Sequence, residues 1–113
     1  MIGHGYAPLK EGVVHEDKIS WRFIAPDVHD FSWAADPDFV HDFRDIEDGP
    51  RMHFFYKRDS EYVDLWKDFQ PNAAKFLSFF SEKIGKYPYA QYSVIMAGDG
   101  GMEYGEILML QLI

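Results

Sequence analysis

A run near the end of the chain, Gly98-Asp99-Gly100-Gly101-Met102-Glu103-Tyr104, combines glycines with a carboxylate, residue types that suit ligand binding. Glycine lets the backbone turn freely and leaves no side chain in the way. Gly100 and Gly101 can therefore bring bare backbone up to a ligand, and Glu103 adds a single negative charge behind them. The five histidines, His4, His15, His29, His41 and His53, are the other candidates for chemistry. A thermolysin-type zinc site needs two His one helical turn apart with a Glu between them. No two of these His are four residues apart, and His15-Glu16 is followed at position 19 by Ile19, so H-E-x-x-H is absent.

Other constellations are weaker. His29, Asp30, Asp36, Asp38, His41 and Asp42 form an interleaved set of metal-ligating types, but acidic residues in strand-edge turns more often make a solvated rim. Asp36-Pro37-Asp38 and Asp45-Ile46-Glu47-Asp48-Gly49 lack the spacing of an EF-hand loop and read as turns. No serine sits in a G-x-S-x-G elbow. The glycine run lacks the Lys-Ser/Thr of a phosphate-binding loop. The series Trp66, Phe69, Phe76, Phe79 and Phe80 reads as a core face, not a base-stacking platform.

The elements that position these residues follow from periodicity. Residues 19–24 alternate apolar and polar, as a half-buried strand does. Residues 28–34, 39–43 and 51–56 are further strand candidates, separated by Asp36-Pro37-Asp38 and by Gly49-Pro50. From Tyr62 to Ile84, apolar residues recur in steps of three and four: Tyr62, Leu65, Trp66, Phe69, Ala73, Phe76, Leu77, Phe80, Ile84. This predicts an amphipathic helix with Ser60 as its cap and Gly85 at its end. Pro71 leaves two readings, a kinked helix or a second helix opening there. Residues 91–97 and the apolar run 107–113 are strand candidates. Several antiparallel strands, one long helix, then further strands predict an α+β fold rather than a β-α-β alternation. The echo of Val28-His29-Asp30-Phe31 in Val40-His41-Asp42-Phe43 is too short for a repeat architecture.

Bulk properties narrow the partners. The 113 residues are 47% hydrophobic and 18% aromatic, enough for a genuine core. The net charge of −8 disfavours nucleic acid and anionic membranes. No apolar stretch approaches the ~20 residues of a membrane helix. With no cysteine there is no disulfide, and the compartment is not legible from redox usage. The apolar ending Leu112-Ile113 reads as a cut through a longer protein.

One order of features is more specific than any single motif. A helix ending Phe79-Phe80-Ser81-Glu82-Lys83-Ile84-Gly85 is followed by Tyr87-Pro88-Tyr89, then Gln91-Tyr92-Ser93-Val94-Ile95, then Gly100-Gly101-Met102-Glu103-Tyr104. This succession resembles the opening of the catalytic domain of the M1 zinc aminopeptidases, with its G-x-M-E-N type exopeptidase motif. Tyr104 and the upstream Val28-His29-Asp30-Phe31-Ser32-Trp33-Ala34-Ala35-Asp36-Pro37-Asp38 are similar to bacterial members. The resemblance spans residues 19–104.

The resemblance implies that residues 1–50 end an N-terminal β domain and residues 51–113 open a thermolysin-like domain. It implies that Glu103 binds the free α-amino group of a peptide substrate by charge and hydrogen bonding. Gly100, Gly101 and Met102 would form the backbone edge along which the peptide lies. The family's cofactor is zinc, but its metal-binding helices and catalytic Tyr would lie beyond Ile113. The expectation is therefore a substrate-binding piece with no catalytic or metal residues of its own and no hydrolytic activity. The chain departs from the family after Tyr104, where Gly105-Glu106-Ile107-Leu108-Met109-Leu110 replaces the usual Pro and short strand. The alternative is a stand-alone acidic interaction module without catalysis. In either case the C-terminal apolar run is expected either to self-associate or to form a disordered tail.

Overall fold

The structure, a computed structural model, describes residues 2–3, 13–15, 17–20, 22–28, 30–96, 102–103 and 107–110. The architecture is α+β, with strands before and after one long helix. The strands are β1 (Ile2–Gly3), β2 (Val13–His15), β3 (Lys18–Ser20), β4 (Trp33–Ala34), β5 (Phe39–Asp45) and β6 (Arg51–Lys57), then β7 (Gln91–Met96), β8 (Met102–Glu103) and β9 (Ile107–Leu110). The helix, α1, spans Val63–Lys83 and connects β6 to β7. Two small antiparallel pairs, β1·β4 and β2·β3, precede a five-stranded sheet of order β5-β6-β7-β9-β8.

The hairpin β5·β6 turns where Asp and Gly make turning cheap. Gly49 N–H donates to the Ile46 carbonyl at 3.0 Å, and Asp48 takes φ +54°. A Cβ at Gly49 would lie 2.8 Å from the Ile46 side chain, so only glycine fits there without a shift. Beyond the hairpin, β6 pairs in parallel with β7, and the intervening α1 is the crossover that parallel pairing requires. The strands on either side of position 50 thus belong to one sheet. β9 is parallel to β7 and antiparallel to β8, so Ile107–Leu110 of the C-terminal apolar run lie inside the sheet, and β5 and β8 are the outer strands among those described.

The core forms where α1 lies on one face of this sheet. Met52, Phe54 and Tyr56 alternate along β6 and meet Val94 of β7 and Trp66 and Ala73 of α1. The period-two and period-3.6 patterns meet at these residues, each element presenting its apolar set to the other. Tyr56 and Trp66 lie ring against ring at 5.7 Å, and Phe69 approaches Trp66 edge-on at 6.2 Å.

Besides the parallel β6–α1–β7 unit, which the order of elements did not predict, three local expectations change in the structure, and the choice left open at Pro71 is resolved. Strand pairing in residues 19–34 is limited to Lys18–Ser20 and Trp33–Ala34 among the described residues. The helix cap is Tyr62 without a side-chain bond, because Ser60 caps the preceding turn by accepting from the Tyr62 N–H at 3.1 Å. Helix α1 passes through Pro71 as one element. Pro71 and Lys67, whose carbonyl loses its usual donor, are both exposed, so water can satisfy that oxygen. Finally, the apolar stripe is not all core. Phe76, Phe80 and Ile84 are 61%, 50% and 81% exposed, because the sheet covers chiefly the first half of the helix. At the far end Gly85 takes φ +150°, which terminates α1 as expected.

Candidate functional site

Of the predicted ligand-binding run, Met102 and Glu103 fall within the described residues. Gly100 and Gly101 lie outside the described residues. Met102 and Glu103 form β8, the outermost strand on one side of the sheet. Glu103 pairs with Leu108 of β9, and Leu108 pairs with Val94 of β7. The register therefore links Glu103 through one strand to a residue of the sealed core. An edge strand leaves one row of backbone donors and acceptors open to an added peptide. Among the described strands, none lies beyond β8.

The structure brings together a second group that the sequence did not single out. His41 and His53 share a hydrogen bond, His41 Nε2 to His53 Nδ1, at 2.8 Å. The register pairs His41 with Phe55 and Phe43 with His53, so four rings occupy adjacent positions on the face away from α1. His41 stacks on Phe55 at 4.4 Å with an angle of 7°. The Arg51 guanidinium lies 4.8 Å above the Phe43 ring and forms a bidentate ion pair with Asp45, at 2.6 and 3.1 Å. Burial, with the neighbouring His41 and Arg51 adding to it, lowers His53 to about 4, and burial lowers His41 as well. Both rings are therefore neutral at pH 7, one donating and one accepting. The signal was available in the sequence: once the turn at 46–49 is placed, pairing 39–45 with 57–51 sets His41 diagonally across from His53.

On the opposite face, Asp42 Oδ2 accepts from Tyr56 Oη at 2.6 Å and from Gln70 Nε2 at 2.8 Å. These bonds hold the Asp42 carboxyl below its usual range, the Tyr56 bond first. Burial and the same bond push Tyr56 up to about 12. The three residues belong to β5, β6 and α1, so the network ties the helix to the hairpin.

These placements dissolve the interleaved His/Asp set. His41 and Asp42 are adjacent on a strand and so face opposite sides of the sheet. Asp36 is occupied by the Asp38 N–H at 2.9 Å and by Lys57 at 3.3 Å, and its carboxyl is lowered, chiefly by the Asp38 bond. His29 lies outside the described residues. Among the described residues, no three His, Asp or Glu converge to hold a metal ion. The His41–His53 pair has two nitrogens turned toward each other and no third donor. The described residues do not fit the zinc that the resemblance implies for the family. Ser93 is buried beside His53 in the register, and no ligand could reach its hydroxyl.

An apolar groove of about 230 Å³ runs between the second half of α1 and β6–β7, floored by Met52, Val94 and Tyr92 and walled by Phe69, Phe76 and Phe80. No protein-family model matches this chain, and no curated protein matches it.

Proposed function

We propose that this chain is the amine-recognising portion of an M1-type zinc aminopeptidase, lacking the residues that hold the metal. In this reading Glu103 anchors the α-ammonium of a peptide, and the backbone of Gly100, Gly101 and Met102 receives its first residues as an added strand. An internal peptide bond carries no ammonium, so the carboxylate selects chain ends. The observation that carries the reading is the edge position of Met102–Glu103. Two residues of the run that resembles the exopeptidase motif, Met102 and Glu103, form the outermost described strand on their side of the sheet, two positions after Gly100 in sequence. Two features support it further: the helix-turn-strand order that precedes the motif, and the parallel β6–α1–β7 unit that orients β7.

The test is binding without hydrolysis. A dipeptide amide with a free amine is titrated into the protein and followed by NMR shifts. It is expected to bind about tenfold or more tightly than its N-acetylated form, since the charge-assisted bond is lost on acetylation. Glu103→Gln is expected to abolish the difference. Equal affinity for the two ligands, or a preference unchanged in Glu103→Gln, overturns the reading. Chelator-sensitive hydrolysis of an amino-acid amide by the chain would overturn the part of the reading that leaves the metal-holding residues outside it.

A further inference from the structure

The edge opposite β8 is strand β5, seven residues long, with no proline, glycine or bulge to blunt it. Its protection is charge alone, from Asp42, Arg44 and Asp45, and a partner that matches those charges finds an open row of backbone groups as a template. Among the described strands, none lies beyond β5. The hydrogen-bond phase identifies which groups are open. Arg58 N–H donates to the Asp38 carbonyl at 3.1 Å, so 38·58 is a hydrogen-bonded pair. In antiparallel pairing every second pair is of this kind. Val40, Asp42 and Arg44 therefore spend their backbone groups on β6, while those of His41, Phe43 and Asp45 point outward. The direction of the Arg51 N–H agrees: it leaves β5 and donates to Ala90 at 3.1 Å.

We propose that β5 is a self-pairing edge, joining a second copy of this chain in antiparallel register with Phe43 opposite Phe43. Three observations select this partner and register. Outward groups must meet outward groups, which requires odd-numbered residues of one copy to face odd-numbered residues of the other. Among such registers, centring on Phe43 sets Asp42 against Arg44 twice, opposite charges facing each other at both points. Shifting the pairing by two residues, to centre on Asp42, sets Asp42 against Asp42, and like charges directly opposite are destabilising. Arg44 forms no ion pair among the described residues, so its guanidinium is available. Lastly, Phe43 is 55% exposed on the face opposite α1, and in this register its ring meets its symmetry mate. The pairing is isologous, as a two-fold dimer requires. It lies four strand spacings from β8, roughly 19 Å, so it is independent of the Glu103 reading.

The test is sedimentation equilibrium at physiological salt, where repulsion between two acidic chains is screened. A monomer–dimer equilibrium is expected, weakened about tenfold in Arg44→Glu, which sets like charges opposite each other at two points. Phe43→Pro is expected to abolish dimerisation. It removes an outward donor and leaves the β5·β6 ladder intact, which an unchanged circular dichroism spectrum would verify. The register has its own readout, because the chain has no cysteine. Phe43→Cys is expected to form an intermolecular disulfide, with Cα atoms about 5.5 Å apart. Asp45→Cys is expected not to, since its mate is four residues along, about 13 Å away. A wild-type chain that stays monomeric throughout overturns the proposal. So does a dimer indifferent to both substitutions, or a disulfide at position 45 but not at 43.

Discussion

The imidazole pair gives the hairpin a pH dependence whose sign follows from its geometry. His53 titrates at about 4 in the fold and near 6.5 in the unfolded chain, so between these values the unfolded state binds the extra proton. The stability held by the neutral pair is complete above about pH 6.5 and is lost as pH falls to about 4. Urea midpoints are expected to be level above that window and to drop through it. The His53 ring is expected to titrate by NMR near 4. His53→Phe is expected to reduce the drop, leaving the smaller part due to His41. A His53 midpoint near 6.5 would show that burial and its cationic neighbour do not act on the ring.

At the scale of elements, α1 tolerates Pro71 at a cost that substitution can recover. Alanine there restores a helical hydrogen bond to the Lys67 carbonyl, against which the unfolded chain regains some freedom. Pro71→Ala is expected to stabilise by about 1–2 kcal/mol, measured by denaturant unfolding. A loss of stability would mean that the proline sets a bend on which packing depends. The element boundaries were largely legible in the sequence. The hairpin strands, the helix and β7 all fall within a few residues of where periodicity and turn chemistry put them. The strand expected over residues 28–34 shortened to Trp33–Ala34 because a short alternating run without a long partner cannot complete a ladder. The site was half legible. Glycine and glutamate types marked the run ending in Glu103, but the His41–His53 bond depends on a cross-strand diagonal that no linear motif encodes.

For the whole molecule, the energy is concentrated where α1 meets β6. Trp66 is sealed between Tyr56 and Phe69, and Trp66→Ala is expected to cost about 3–5 kcal/mol. Phe76→Glu, on the same helix but largely exposed, is expected to change stability by less than about 0.5 kcal/mol. Paired thermal melts check the contrast, and equal losses would mean that the second half of α1 is as tightly packed as the first. By itself the sequence determined the elements, the α+β class, the charge and the type of chemistry available, because backbone propensity, side-chain period and residue identity are local properties. Only the tertiary structure decided that, among the described strands, Glu103 stands on one outer strand of the sheet and β5 forms the other. It also decided which part of the apolar helix stripe is covered and that two histidines twelve residues apart share a proton. Those facts depend on which strands pair and in what register, and that is settled by burying Met52, Phe54, Tyr56 and Val94 together against Trp66.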